Sequence, residues 1–185
     1  TFYQRLAETD THFAGAISEG LKVKTIAGSI SGTIQISGIS KFGEELIVDI
    51  SDVSPIDATL FYQWKRNGTL ITGAKNSTYT VVFEDIGQQI TVTVTGTGDY
   101  IGSITSAAVI PTKADGATAA KPVLSERNTN QITLESKPGY EYKMDDGLWQ
   151  TSNVFDGLEL GTEYTFYQRI AETDTHFAGE TSQGL

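Results

Sequence analysis

Apolar and polar residues alternate with a period of two along most of this chain. Leu46 and Val48 flank one residue, and Ile90, Val92 and Val94 are each separated by a threonine. Successive side chains of a β-strand point to opposite faces, so this alternation indicates strands that bury one face. The chain shows no run with the 3.6-residue period of an amphipathic helix. The pattern therefore predicts an all-β protein.

Turn signals punctuate the strands at short intervals. Asn67-Gly68 lies between two strand-like runs and predicts a type I′ hairpin. Residues 145–147, Asp-Asp-Gly, predict a second hairpin, with Trp149 opening its return strand. Near the start, Ile30, Ile34 and Ile36 predict one face of a first strand. Turns every eight to twelve residues or so are typical of a sandwich or barrel.

A short polar stretch divides the pattern in two. Residues 112–120 read TKADGATAA and contain no large apolar side chain, so they predict a linker. Residues 27–111 and 121–185 each carry enough strands for a small β-sandwich. We therefore expect two tandem β-sandwiches.

The first of these regions resembles the immunoglobulin-like domains of Gram-positive bacterial surface proteins. The resemblance rests on Tyr62-Gln63-Trp64, on Ser77-Thr78-Tyr79-Thr80 and on Asp85-x-Gly87. It implies that Trp64 is the core tryptophan of a central strand and that Asp85 and Gly87 lie in the turn before a later strand. The cysteine pair of antibody domains is absent, and Val48 with Val92 is expected to fill its space.

The second region is similar to a short fibronectin type III domain. The residues that carry this resemblance are Tyr140-x-Tyr142, Trp149, Val154-Phe155-x-Gly157-Leu158 and Tyr164-x-Phe166. It implies a second sandwich over 121–185, smaller than the usual fibronectin module.

A long repeat connects the two ends of the chain. Residues 1–21 and 165–185 differ only at Leu6/Ile170, Ala16/Glu180, Ile17/Thr181 and Glu19/Gln183. A match this close indicates a duplicated unit. Residues 1–26 are therefore interpreted as the C-terminal strands of a preceding fibronectin III-like repeat, in an excerpt of a longer tandem protein. One hypothesis is that they pair with the fibronectin-like module of another copy or with an exposed edge of this chain; the other is a local hairpin against the first sandwich.

Charge and cysteine content limit the partners. The net charge is −10, and the sequence contains no cysteine. Nucleic-acid and anionic-membrane partners both require a basic face, so neither is expected. Disulfides and thiolate metal sites are excluded.

Few residues suggest chemistry. His12 and His176 occupy the same repeat position, two residues after Asp10 and Asp174, but no third ligand or nucleophile accompanies them. A structural turn explains them better than metal binding. Calcium near Asp99 or Asp115, and the Lys–Asn cross-links of the surface domains that the chain resembles, stay open. With no catalytic motif present, we predict no catalytic, cofactor-binding or metal-binding residue.

Two aromatic residues are the candidates for ligand binding. Most aromatics alternate within strands and are explained by packing, but Trp149 and Tyr167 are expected to be exposed. Stacking on a sugar would use such side chains.

The combined prediction is a non-catalytic spacer segment of a repetitive bacterial protein, located outside the cell, on its surface or in its wall. Its partners would be neighbouring repeats of the same chain and a cell-surface glycan or protein ligand. One alternative is an adhesin or carbohydrate-binding module. Another is a pair of accessory domains of a secreted enzyme.

Overall fold

The computed structural model describes residues 3–5 and 27–185. The described part contains no α-helix and folds into two groups of sheets, one before and one after the stretch around residue 112. The predicted all-β class with two tandem sandwiches is therefore confirmed. The predicted pairing of residues 1–26 lies outside the described residues, apart from 3–5.

The first sandwich contains nine strands and one 3₁₀ turn. Its elements are β1 Gly28–Ser29, β2 Gln35–Gly38, β3 Glu45–Asp49, β4 Thr59–Arg66, β5 Thr69–Leu70, β6 Thr78–Thr80, the turn Phe83–Asp85, β7 Ile90–Thr97, β8 Tyr100–Ile101 and β9 Ser103–Thr105. One sheet has the order β2-β3-β6 and the other β5-β4-β7-β9, both antiparallel. A short parallel pair, β1 with β8, lies at one end.

Trp64 lies at the centre of the first core. Its side chain is 0% exposed, and its ring stacks on Tyr79 with centroids 5.4 Å apart. The indole N–H donates to the Asn76 carbonyl oxygen at 2.9 Å, so its polar atom is satisfied inside the core. Val48 and Val92 belong to the same buried cluster, as expected.

Residues with positive φ angles account for the outcome of two predictions, the hairpin at Asn67-Gly68 and the first strand. Asn67 and Gly68 have φ angles of 47° and 79°, the two positive values that a type I′ turn requires, so the predicted hairpin between β4 and β5 is confirmed. The predicted single strand over residues 30–36 is wrong. Gly32 has a φ of 108°, and a Cβ there would collide with the Asp52 carbonyl oxygen, so the chain bends between β1 and β2.

The second sandwich has five strands. They are β10 Leu124–Arg127, β11 Gln131–Leu134, β12 Tyr140–Met144, β13 Val154–Asp156 and β14 Phe166–Ile170. One sheet has the order β10-β11-β13, and β12 pairs with β14 in the other, all antiparallel. Leu134, Tyr142, Phe155 and Phe166 form the core between them. The predicted return strand after Asp145 is limited to one bridge, between Tyr142 and Gln150.

Both sandwiches close their last edge with the same serine arrangement. In the first, the Val92 N–H donates to Ser106 Oγ at 3.1 Å, and the Ser106 N–H donates to the Val92 carbonyl oxygen. In the second, Gln168 and Ser182 make the same two bonds, at 3.0 Å each. Both serines are buried. The two sandwiches therefore share an edge geometry that their sequences do not make obvious.

Thr112 and Ala114, in the first half of the predicted linker 112–120, make backbone hydrogen bonds to the two sandwiches. The Phe42 N–H donates to the Thr112 carbonyl oxygen, and Thr112 N–H donates to the Ser40 carbonyl oxygen, each at 2.9 Å. Two residues later, Ala114 exchanges 2.9 Å bonds with residues 175 and 177 of the second sandwich. The segment thus connects an edge of each sandwich through backbone hydrogen bonds. Its small polar residues did not predict this pairing.

Side chains reinforce this junction. Lys41 pairs with Asp115 at 2.5 Å, and Lys113 pairs with Glu172 at 2.7 Å. The rings of Phe42 and His176 meet edge to face, with centroids 5.7 Å apart. We call this set the joint: residues 40–42, 112–115 and 172–177. Its contacts join the two sandwiches directly.

Candidate functional site

The outer face of the β12–β14 sheet carries the two predicted ligand-binding aromatics. In the strand register Lys143 lies opposite Tyr167, and Glu141 lies opposite Arg169. Tyr142, Phe166 and Gln168 alternate with these residues and are buried, so the outer face is polar and aromatic. The hairpin after β12 returns Trp149 over the same face. We call Glu141, Lys143, Trp149, Tyr167 and Arg169 the outer-face cluster.

Cations lie over the aromatic rings of this cluster. Lys143 Nζ is 5.3 Å from the Trp149 ring centroid and 5.2 Å from that of Tyr167. The Arg169 guanidinium carbon is 4.4 Å from the Trp149 centroid, and its Nη2 lies 2.8 Å from Glu141 Oε2. Cation–π contacts and one ion pair thus hold the five side chains together.

The cluster differs from an open stacking platform. Trp149 and Tyr167 are half-buried rather than exposed, because the stems and heads of Lys143 and Arg169 cover part of each ring. A planar ligand would have to displace a cation from Trp149 before it could stack there. The structure brings the two aromatics together around Lys143, and their binding role stays a prediction.

A buried charge network holds the turn before β7. Asp85 is 0% exposed, and one carboxylate oxygen accepts from Arg66 Nε at 2.7 Å. The other accepts from the Tyr79 hydroxyl at 2.7 Å and from the Val82 N–H at 2.9 Å. The predicted location of Asp85, in the turn before a later strand, is confirmed. Its partners come from two other strands, and no local spacing in the sequence predicts them.

This network raises the pKa of Tyr79 to about 12, through burial first and then through the hydrogen bond to Asp85 and the charge on it. An unfolded tyrosine ionises near pH 10. The folded state therefore favours the protonated phenol, and that contribution to stability is complete below about pH 10 and is lost as the pH rises toward 12.

We expect the denaturant midpoint of the wild-type first sandwich to fall between pH 10 and pH 12. The Tyr79→Phe variant has no phenol to ionise at this position, so its midpoint should fall less steeply over the same range. Chemical denaturation followed by tryptophan fluorescence measures both curves, in chains that also carry Trp149→Phe so that the signal comes from Trp64. Parallel curves for the two proteins would show that Tyr79 ionisation is not coupled to folding.

Of the two histidine positions singled out in the sequence, the structure describes His176. His176 lies in the joint, with Nδ1 2.9 Å from the Thr175 hydroxyl oxygen. Over residues 3–5 and 27–185, no three His, Asp or Glu side chains come together as a metal site would require. Asp115 is paired with Lys41, and Asp10 and His12 lie outside the described residues.

Comparison with known proteins gives likeness in structure only. No protein-family model matches the chain, and no curated protein matches it. Among solved structures it is similar to domains A168–A170 of titin, at 13% identity and a TM-score of 0.30, covering 86% of this chain and 61% of that one. It is also similar to the FN1–FN3 domains of chicken CNTN1, at 15% identity and a TM-score of 0.29, covering 98% of this chain and 74% of the other. The chain thus spans less than two thirds of the titin fragment that it matches.

In the described ranges, 3–5 and 27–185, no helix has the length and apolarity to cross a membrane.

Proposed function

We propose that the chain is a non-catalytic spacer segment of a repetitive bacterial surface or secreted protein, acting outside the cell to hold other domains at a distance. The joint is the observation that carries this proposal. A spacer holds other domains at a fixed distance only if the orientation between its own domains is restricted. Flexible linkers leave neighbouring domains semi-independent.

The joint restricts such motion in two ways. Backbone bonds run from Ser40 and Phe42 through residues 112–114 to Thr175 and Phe177. The ion pair Lys41–Asp115 connects the first sandwich to the segment 112–115, and the ion pair Lys113–Glu172 connects that segment to the second sandwich. Exposed ion pairs contribute little individually, so the backbone ladder and the Phe42–His176 contact are the main restraints. A repeat that joins end to end in this way lengthens an array without adding chemistry.

A narrow distribution of distances between the sandwiches is expected for the wild-type joint. The sequence contains no cysteine, so Thr69→Cys and Thr151→Cys, at exposed positions of the two sandwiches, give specific spin-label sites. Ala114→Pro removes the N–H that donates to the Thr175 carbonyl oxygen and should broaden the distribution markedly. Pulsed electron paramagnetic resonance measures the distribution of distances between the two spin labels.

Thr118→Pro is the matched control, because this exposed residue lies in the same segment and its N–H has no backbone partner among the described residues. Its distribution should match that of the wild type. A broad distribution in the wild-type chain would contradict a rigid spacer.

An adhesin or carbohydrate-binding module is the second candidate, and within the described residues the outer-face cluster is what supports it. Its two aromatics lie side by side around Lys143, as residues of a small sugar site would. The cations over the rings weigh against it. A glycan-array screen decides between the two candidates, since micromolar binding to any glycan would contradict a pure spacer.

A further inference from the structure

Lys143, in the outer-face cluster, is a cation whose neighbours are rings rather than a carboxylate. Its Nζ lies 5.3 Å from the Trp149 centroid and 5.2 Å from the Tyr167 centroid. Both distances approach the limit of about 6 Å for a cation–π contact, so the ammonium makes a long contact to each ring and a close contact to neither. Among the described residues it forms no ion pair. The protein therefore leaves this positive charge without a counter-charge.

Arg169, the other cation of the cluster, is already neutralised. Its Nε and Nη2 lie 2.9 Å and 2.8 Å from the same oxygen, Oε2 of Glu141. Its guanidinium carbon lies 4.4 Å from the Trp149 centroid and covers that ring more closely than Lys143 does. Arg169 and Glu141 thus hold Trp149 in position, and Lys143 is the charge that remains available for a ligand.

Two carboxylates follow Lys143 in the hairpin after β12, and neither pairs with it. Asp145 Oδ1 accepts from the Thr165 N–H at 2.7 Å, which turns that carboxylate toward β14. Asp146 is exposed at the tip of the hairpin. The chain as a whole carries a net charge of −10, but charges more than about 8 Å away are largely screened at physiological salt. The ammonium itself therefore dominates the interaction with a group bound at Lys143.

A free cation beside an aromatic face selects a particular kind of ligand. Ammonium groups form their strongest hydrogen bonds with anionic oxygens, and an aromatic face packs against the apolar face of a sugar ring. A neutral sugar would gain only the ring contact, and at Trp149 it would compete with Arg169. A sugar that carries a carboxylate or a sulfate gains both contacts, and it can use Tyr167, whose ring is not covered by Arg169.

We propose that the outer-face cluster binds acidic saccharides, with the anionic group of the sugar on Lys143 Nζ and the sugar ring against Tyr167. Trp149, held by Arg169, flanks the ammonium on its other side. The proposal rests on the second candidate function, carbohydrate binding, and is independent of the rigidity of the joint. It assigns the specificity for charge to Lys143 and a positioning role to Arg169.

A nuclear magnetic resonance titration of the full chain tests the proposal. The probes are tetragalacturonate, its neutral methyl ester and a sulfated galactan tetrasaccharide. The indole N–H signal of Trp149 reports on the site, and that of Trp64, which donates to the Asn76 carbonyl oxygen in the core, is the internal reference. For a small exposed site we expect a dissociation constant on the order of 1 mM for the charged probes. The ester should bind about fivefold more weakly, because an exposed ion pair contributes little.

Lys143→Gln removes the charge and keeps the length of the side chain. It should reduce the affinity for tetragalacturonate to that for the ester and leave the ester unaffected. Lys137→Gln is the matched control, because Lys137 lies over a single ring of the same sandwich, Tyr140, at 5.5 Å. This variant loses the same charge and should keep the preference for the acidic probe. An unchanged thermal transition of the second sandwich shows that each variant is folded.

The outcomes separate this proposal from carbohydrate binding in general. If wild type and Lys143→Gln prefer tetragalacturonate over the ester equally, Lys143 does not select charge and the proposal fails, while carbohydrate binding stands. The proposal also fails if no charged probe shifts the Trp149 signal up to about 10 mM, and the glycan array then decides separately on carbohydrate binding. Binding of only the carboxylated or only the sulfated probe supports the proposal and identifies the anionic group.

Discussion

Replacing Trp64 by alanine should lower the free energy of unfolding of the first sandwich by about 3–5 kcal/mol. The side chain is 0% exposed and is packed among the buried residues of both sheets. Its removal leaves a large cavity, strips Tyr79 of its stacking partner, and leaves the Asn76 carbonyl oxygen without its donor. A small sandwich has a stability of roughly 5–15 kcal/mol, so the variant loses a large part of it.

Phe61→Ala is the matched control for this change. Phe61 lies on the same strand, β4, but on its opposite face, and is 42% exposed. Its replacement should cost much less than that of Trp64. Differential scanning calorimetry measures both variants, and the transition of the second sandwich should stay in place in each. Equal losses for the two variants would contradict the assignment of Trp64 to the core.

Replacing Asp85 by alanine should cost the first sandwich about 2–4 kcal/mol, the second-largest effect that we expect. The change leaves the Tyr79 hydroxyl and the Val82 N–H without their acceptor, and hydrogen bonds to a charged group are among the stronger ones. Arg66 also loses its partner, but its side chain is 28% exposed and can turn to water. The cost therefore lies below the upper range for a fully buried ion pair.

Glu84→Ala is the control for Asp85→Ala. Glu84 lies next to Asp85 in the same 3₁₀ turn, and it is exposed. Its loss should change stability by no more than about 0.5 kcal/mol. Denaturation followed by tryptophan fluorescence measures both variants in the first sandwich, again with Trp149→Phe so that Trp64 supplies the signal. If Asp85→Ala costs as little as Glu84→Ala, the network does not stabilise the fold.

The sequence alone predicted the features that depend on near neighbours along the chain. Alternation over 46–50 and 90–94 predicted strands, because adjacent side chains of a strand point to opposite faces. Asn67-Gly68 predicted its hairpin, because few residues accept two successive positive φ angles. The predicted single strand over residues 30–36 was wrong because a residue distant in sequence interrupts it. The Asp52 carbonyl oxygen lies close to Gly32, and the chain bends there.

Contacts between residues far apart in the chain could not be predicted from the sequence. Asp85 was placed in its turn, but its bonds to Arg66 and Tyr79 depend on how three elements pack. Trp149 was expected to be exposed, yet Arg169, twenty residues later, covers part of its ring.

The sequence by itself determined that this chain is all-β and that its first and last twenty-one residues are copies of one unit. Local periodicity, turn chemistry and residue identity are enough for these features, whereas the place of Trp64 in a core was implied only by the resemblance to immunoglobulin-like domains. Only the tertiary structure decided that residues 112–115 form a joint rather than a free linker. That outcome depends on which backbone groups find partners across the fold, and a stretch of small polar residues is compatible with either.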